Sequence, residues 1–298
     1  MKDFIDKIIV AIEESEKKGK SFDLSIDGLS GDSLVGFLQR ASALHSGDID
    51  RIYLEVGVFT GYTLTSVSAN DSGIVCFGID NYSQFDEQGT NRKTAGDRIS
   101  KYSTNNAFFI DSDFETALLN LKDHIGDRKV GTYFVDGPHD YRSQYLCLEY
   151  AKPFLADNCV IIIDDSNYEH VRHSTNDWLK ANTDFKMIYE SYTPCHPNYM
   201  SSTELNNAKT GWWNGVNILV KDRDHVLPEK YPPIDESRVR YFNDHIVHSA
   251  KYSEYAPELL SIATAPYFKM LLKMTSFYIN RPKYQLRKTA LNMFSKAK

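Results

Sequence analysis

The feature that most constrains the fold is a series of short apolar segments separated by stretches with helical periodicity. Five such segments follow one another along the chain: residues 52–56, 74–79, 107–110, 132–135 and 160–163. Turn-forming residues bound each segment, and helical patterns such as 114–124 and 141–155 lie between them. Strands that are apolar on both faces and alternate with helices are typical of a parallel sheet that is covered by helices on each side.

Other patterns complete this architecture. They predict helices over 3–18, 31–44 and 170–180 and strands over 186–192 and 215–221. We therefore expect an α/β, Rossmann-like, doubly wound fold with a mostly parallel seven-stranded sheet. The expected organisation is an N-terminal helical segment (1–48), a core (49–221) and a helical C-terminal extension (222–298).

The segment 193–214 is rich in Pro, Asn, Ser and Tyr and is predicted to be a long loop. Loops of this length inside a compact domain are typical of functional lids. Tyr199, Trp212 and Trp213 are the aromatic residues expected to line such a lid.

Composition excludes several classes of protein. A net charge of −6 and a pI near 5.9 argue against a dedicated nucleic-acid binder, which usually carries a basic excess. The four cysteines form no C-x-x-C pair, which disfavours a zinc ribbon or a redox motif. No signal-peptide pattern or membrane-spanning apolar stretch is evident. We expect a cytoplasmic protein without a nucleic-acid partner or membrane association.

The first predicted strand runs into a glycine turn, and residues 53–63 read YLEVGVFTGYT. Gly57 and Gly61 allow the backbone to approach a ligand at the carboxyl end of this strand. Their G-x-x-x-G spacing is neither the G-x-G-x-x-G of a dinucleotide site nor a P-loop, which disfavours a nicotinamide-dependent oxidoreductase. Glu55 is placed to hold the amino end of a ligand, and Thr63 belongs to the same predicted site.

Polar groups also follow the next two strands. Asp80 ends the second strand, where a carboxylate can accept both hydroxyls of a ribose. Asp111 and Ser112 end the third strand and are candidates for contact with an adenine edge. Together with Glu55, these residues predict a nucleoside-containing ligand. The alternative for each is an ordinary strand-to-helix turn that carries an N-cap.

Three further aspartates end the fourth and fifth strands. Asp136 follows one strand, and Asp164 and Asp165 follow the other, so all three are expected on one rim of the sheet. Converging carboxylates repel one another unless a hard cation such as Mg²⁺ lies between them. His139 is placed to take a proton from a bound hydroxyl, a task that Asp136 could share. The alternative is that the aspartates cap the next helix and His139 is a structural turn residue.

The EVGVFTGYT turn resembles the first motif of class I S-adenosylmethionine (SAM)-dependent methyltransferases. The chain is most similar to the metal-dependent O-methyltransferases, such as catechol O-methyltransferase and the macrolide-sugar O-methyltransferases. The resemblance implies that Asp80 binds ribose and that Asp136, Asp164 and Asp165 hold Mg²⁺. The catechol enzymes carry a lysine base where this chain has His139. The resemblance covers roughly residues 30 to 221.

The D-G-x-H-x-Y and I-I-D-D motifs also resemble a bacterial subgroup that includes sugar O-methyltransferases and the cephalosporin-biosynthesis enzymes. This similarity implies methyl transfer from SAM to a hydroxyl of a sugar unit, with a small-molecule or carbohydrate acceptor. The alternatives are a SAM-binding module without catalysis and a cephalosporin-hydroxylase-like relative. The apolar face of the C-terminal extension favours packing on the domain or a homo-oligomer contact.

Overall fold

A computed structural model describes residues 2–86, 88–235, 262, 266 and 269–275. Within this part of the chain, one sheet contains seven strands. They are β1 (Arg51–Val56), β2 (Val75–Asp80), β3 (Ala107–Asp111), β4 (Lys129–Val135), β5 (Leu155–Ile163), β6 (Phe185–Ser191) and β7 (Val216–Lys221).

Helices precede the sheet and connect its strands. The α-helices are α1 (Lys2–Lys18), α2 (Asp32–Ala43), α3 (Tyr62–Asn70), α4 (Asn91–Tyr102), α5 (Phe114–Leu119), α6 (Leu121–Ile125), α7 (Tyr141–Ala151), α8 (Glu169–Ala181) and α9 (Ser202–Thr210). Short 3₁₀ turns occupy Lys152–Phe154 and Pro197–Tyr199.

The strand order is β3-β2-β1-β4-β5-β7-β6, and every neighbouring pair is parallel except the two that involve β7. The predicted doubly wound, mostly parallel sheet of seven strands is therefore confirmed. Val56 pairs with Ile79 on one side and with Val135 on the other, and Val135 pairs with Ile163. Because these strands end in register, the residues that follow them share one rim of the sheet.

Both faces of the sheet are buried, which explains why its strands are apolar throughout. Alternate residues of β1 point to opposite sides. Leu54 packs with Leu118 and Leu148 from α5 and α7 in one cluster, whereas Tyr53 joins a second cluster on the other face.

The N-terminal helices form part of that second cluster. Ile8 of α1 and Phe37 of α2 are fully buried in it, together with residues of β1 and β7. The Arg40 guanidinium donates a 2.7 Å hydrogen bond to the carbonyl of Gly19 and so fixes the turn between the two helices. The segment 1–48 accordingly lies in one compact unit with the sheet, Met1–Ile234.

The chain immediately after β7 is non-helical and packs on the core. Residues 222–235 contain no helix, and the buried carboxylate of Asp222 accepts hydrogen bonds from the amides of Val226 and Leu227. Leu227 and Tyr231 pack against the two core clusters. The compact unit that contains the sheet includes these residues as far as Ile234.

A helical stretch occurs at 269–275, and the rest of the predicted extension lies outside the described residues. Among the helices that the structure describes, none combines the length and the apolar character that a membrane span requires.

The predicted loop 193–214 contains helix α9, which the sequence analysis missed. Ser201 and Glu204 form a capping box at its start. Trp212 is only 6% exposed and packs against Phe37 and Tyr189, so the expectation that it lines a lid is wrong. Tyr199, in contrast, is 83% exposed.

The burial of Trp212 predicts a large effect on stability. Replacing a buried tryptophan leaves a cavity, so Trp212→Ala should lower the free energy of unfolding by about 3–5 kcal/mol in a denaturant titration followed by circular dichroism. The matched control, Tyr199→Ala, removes an exposed ring and should change that free energy by less than about 0.5 kcal/mol. A similarly small change in both variants would contradict the assignment of Trp212 to the core.

Candidate active site

The glycine turn brings the end of β1 against the end of β4. Gly57 has a φ of +94°, and a Cβ at this position would lie 1.9 Å from the carbonyl oxygen of Asp136. Only glycine therefore permits the two turns to approach so closely. The amide of Asp136 in turn donates a 2.9 Å hydrogen bond to the carbonyl of Val56. The backbone of the predicted cofactor turn is thus in direct contact with the first predicted metal ligand.

Asp80 holds the glycine turn in place. Its Oδ2 accepts hydrogen bonds of 2.8 Å from the amides of Val58 and Phe59, and its Oδ1 accepts one of 2.7 Å from the amide of Tyr82. Arg98 supports the same turn through a 3.0 Å hydrogen bond to the carbonyl of Thr60. The structure thus gives Asp80 a role that the sequence analysis did not predict, while its contact with ribose stays a prediction.

Glu55 is a buried carboxyl at the base of the site. It accepts hydrogen bonds from the hydroxyls of Tyr53 at 2.5 Å and Thr63 at 3.3 Å. Burial raises the pKa of Glu55 to about 8, although both hydroxyl groups oppose the shift. The carboxyl is therefore mostly protonated at neutral pH until a positive group approaches it. This arrangement suits the amino end of a ligand.

The third strand ends in groups that already have protein partners. Asp111 is exposed and lies 2.8 Å from the guanidinium of Arg92. Asp113 accepts a 3.0 Å hydrogen bond from the amide of Glu115 and caps α5. Asp113 thus acts as an N-cap, and Ser112 is partly exposed between the two aspartates.

Asp136 follows β4, and Asp164 and Asp165 follow the neighbouring strand β5, so all three lie on the same rim. Asp164 is only 2% exposed, and its Oδ1 has no hydrogen-bond partner. Burial, followed by the negative charges of Asp164 and Asp165, raises the pKa of Asp136; burial and Asp165 likewise raise the pKa of Asp164. A buried carboxylate oxygen without a partner, surrounded by like charges, requires a proton or a cation. The residues therefore fit a divalent metal ion.

His139 lies inside this acidic group. Its Nε2 is 2.6 Å from Asp165 Oδ2, and its ring stacks on Tyr168 with 5.0 Å between the ring centroids. Potential ligand atoms of Asp136, His139 and Asp165 all lie within 4.8 Å of one another. That group of three contains His139 and leaves out Asp164, which the sequence predicts as a ligand.

Several residues at the site were not predicted from the sequence. Asn214 donates a hydrogen bond to Asp165 Oδ1, Tyr168 stacks on His139, and Arg98 braces the glycine turn. Asn214 and Arg98 are distant in sequence from the residues they support, and no local motif marks them. The stacking of Tyr168 also depends on the tertiary arrangement, so the sequence alone carries no signal for it.

Residues 54–166 match a protein-family model described as a methyltransferase domain. The matched segment runs from β1 to the turn after β5 and includes the glycine turn, Asp80 and the three rim aspartates. This match agrees with the resemblance to class I, SAM-dependent methyltransferases that the sequence motifs carry. No curated protein matches the chain.

Solved structures with a similar arrangement include an O-methyltransferase from Bacillus cereus in complex with S-adenosylhomocysteine (SAH). It is 13% identical, the alignment covers 74% of this chain and 91% of that one, and the TM-score is 0.47. An SAH-bound methyltransferase from Podospora anserina is 12% identical over 73% of this chain and 88% of that one, with a TM-score of 0.44.

The raised pKa of Glu55 predicts a pH-dependent stability. Its ordinary pKa is 4.5 and its native pKa is about 8, so the native state binds more protons than the unfolded chain between these values. The free energy of unfolding should fall as the pH rises through this window. Glu55→Gln cannot titrate and should lose less stability between pH 5 and pH 8, as measured by denaturant titration at each pH.

The control for this experiment is Glu13→Gln, which removes an exposed carboxylate from α1. It should follow the wild-type pH dependence. Equal slopes in wild type and Glu55→Gln would contradict a raised native pKa for Glu55.

Proposed function

We propose that this chain is a SAM-dependent, divalent-cation-assisted O-methyltransferase that acts on a hydroxyl of a sugar unit. The observation that carries the proposal is the convergence of Asp136, His139 and Asp165, whose potential ligand atoms lie within 4.8 Å of one another. The buried Asp164, whose Oδ1 has no hydrogen-bond partner, precedes Asp165 on the same rim. This acidic group adjoins the glycine turn of the methyltransferase domain through the contact between Gly57 and Asp136.

The proposed SAM site uses the ends of the first three strands. Glu55 would take the amino group of the methionine portion. The hydroxyls that contact its buried carboxyl are neutral, so a positively charged amino group would supply the missing charge. Thr63 would keep the carboxyl oriented, and Gly57 and Gly61 would leave room for the cofactor. Asp80 would accept the ribose hydroxyls while still holding the turn. The adenine end would lie near Asp111 and Ser112.

The proposed cation ligands are Asp136, Asp164 and Asp165. A divalent ion bound there would lower the pKa of an acceptor hydroxyl and hold it near the sulfonium methyl group. The three carboxylates supply hard oxygen donors of the kind that Mg²⁺ prefers. In this arrangement the protein contributes mainly orientation and charge, which are the principal sources of rate acceleration in a reaction between two bound substrates.

His139 is the proposed general base, and Asp136 could share the proton. The stacking on Tyr168 fixes the plane of the imidazole, and the contact with Asp165 places Nε2 at the acidic group. A base must lie within hydrogen-bond reach of the proton it removes, and a hydroxyl held by the rim carboxylates through the cation would satisfy this requirement.

Support for a sugar acceptor comes from the aromatic rings beside His139. Tyr168 is 37% exposed, and His196 and Tyr199 continue the row of rings towards solvent with centroid separations of 5.9 and 6.2 Å. Exposed aromatic rings with a polar edge suit a ligand that is apolar on one face and polar at its rim. The similarity of the rim motifs to sugar O-methyltransferases favours the same acceptor class.

The cation hypothesis predicts a specific pattern of binding losses. Loss of an outer-sphere residue typically weakens metal binding by about 10–100-fold. Asp136→Ala and Asp165→Ala should each weaken Mn²⁺ binding by more than this, because each removes a direct ligand. Methyl transfer from radiolabelled SAM to a panel of simple glycosides should be abolished, while calorimetric affinity for SAH should stay within about threefold, because the cofactor groups are untouched.

Asp127→Ala is the matched control, since Asp127 is an exposed aspartate outside the rim. Full Mn²⁺ affinity in either rim variant would end the metal hypothesis, and wild-type protein that does not bind SAH would end the methyltransferase proposal.

A second experiment separates the two possible roles of His139. As a general base it should contribute about 10²–10⁴-fold to kcat, so His139→Ala should lose that much turnover at an unchanged dissociation constant for Mn²⁺. If His139 is instead a cation ligand, the Mn²⁺ affinity itself should fall. His124→Ala, on α6, provides the histidine control.

A further inference from the structure

Asp165 has an unusual backbone conformation that other residues must stabilise. Its φ of +53° lies in the left-handed region, which side chains with a Cβ rarely adopt. The carbonyl of Asp165 accepts a 2.9 Å hydrogen bond from the amide of Tyr168. This conformation directs the carboxylate towards His139, so the factors that maintain it also determine the geometry of the acidic group.

The segment before β7 holds the turn that contains Asp165. The amide of Ser166 donates to the carbonyl of Gly215 at 3.2 Å, and the amide of Asn167 donates to the carbonyl of Asn214 at 3.0 Å. Gly215 has a φ of +87°, and a Cβ there would lie 2.7 Å from Asn167 Oδ1. A glycine is therefore needed for this close contact, which continues the pairing of β5 with β7 beyond the sheet.

A chain of hydrogen bonds extends from this contact through the side-chain amides of Asn214 and Asn167 to the backbone of Thr193. Asn214 is fully buried, and its Nδ2 donates to Asp165 Oδ1. Its Oδ1 accepts a 3.1 Å hydrogen bond from Asn167 Nδ2. Asn167 Oδ1 accepts a 3.0 Å hydrogen bond from the amide of Thr193, where the segment that carries His196 and Tyr199 begins.

We propose that Asn214 is a positioning residue for the cation site. Its amide engages Oδ1 of Asp165, which leaves Oδ2 directed at His139 and at the position of the cation. Through Asn167, the same amide connects this carboxylate to the segment 193–199 on the acceptor side. This inference rests on the proposed function, because it assigns Asn214 a role towards the cation proposed there.

The proposal distinguishes a direct effect on Asp165 from general support of the turn. Asn167 contacts Asn214, Thr193 and the carbonyl of Cys195, so it makes more structural contacts than Asn214 does. If these residues only stabilise the local fold, removing Asn167 should have the larger effect on cation binding. If Asn214 acts on the carboxylate directly, removing Asn214 should have the larger effect.

The experiment measures Mn²⁺ affinity by electron paramagnetic resonance, SAH affinity by calorimetry and thermal unfolding, all on the full chain. Asn214→Ala should weaken Mn²⁺ binding by about 10–100-fold, as expected for loss of an outer-sphere partner, with SAH affinity within about twofold of wild type. Asn167→Ala should weaken Mn²⁺ binding less. Asn217→Ala, which removes another buried asparagine from the start of β7, should lower thermal stability but leave Mn²⁺ affinity unchanged.

Asn214→Ser, a smaller truncation that also removes the amide donor, replaces Asn214→Ala if the latter does not fold. Mn²⁺ affinity within twofold of wild type in the Asn214 variant, or a larger loss in Asn167→Ala, would overturn the assignment. An equal loss of SAH and Mn²⁺ affinity would also overturn it. Wild-type protein that binds SAH but no Mn²⁺ would refute the cation-assisted function itself, and the positioning role with it.

Discussion

Repulsion among carboxylates is the constraint on which the arrangement of this site depends. The parallel register of β1, β2, β4 and β5 brings acidic residues from the end of each strand to one rim. Each acidic group is compensated in a different way. Burial raises the pKa of Glu55, Asp80 accepts hydrogen bonds from backbone amides, and Asp165 contacts His139 and Asn214. Asp136 and Asp164 have the least compensation, and the proposed cation would supply it.

These differences follow from position along the sheet. The Asp80 carboxylate accepts hydrogen bonds from the backbone amides of the neighbouring turn. The side-chain partners of the buried Glu55 are the hydroxyls of Tyr53 and Thr63, which stabilise a carboxylate less than ionic partners do. A carboxyl group is therefore suited to structural support at the end of β2 and to ligand binding at the end of β1.

Much of this organisation could be predicted from the sequence because it depends on local patterns. Apolar segments with turn residues at each end predicted five of the seven strands, and the acidic residues that follow them predicted the rim. Patterns failed where tertiary contacts decide the outcome. Trp212 looked like a lid residue in a polar segment, but Phe37 and Tyr189 enclose it. Asn214 carries no local signal, since its partner Asp165 is brought to it only by the pairing of β5 with β7.

The sequence also predicted the ends of helices and strands less accurately than their presence. The predicted helix 141–155 ends at Ala151, and β5 begins at Leu155, five residues before the apolar segment that marked it. The capping pair Ser201 and Glu204 was visible in the sequence and would have indicated α9. The polar composition of residues 193–214 instead led to the prediction of a loop.

The junction between α2 and the end of α9 has a consequence for the order of folding. The amides of Ser33 and Leu34 donate to the carbonyl of Gly211, and the Ser33 hydroxyl donates to the carbonyl of Thr210 across 177 positions of sequence. Contacts between such distant parts of a chain form slowly, because a long loop must close first. The contact of Asn214 with Asp165 spans only 49 positions, although Gly211 lies three positions before Asn214. By the same argument, the support of Asp165 needs a much shorter loop to close than the junction between α2 and α9 does.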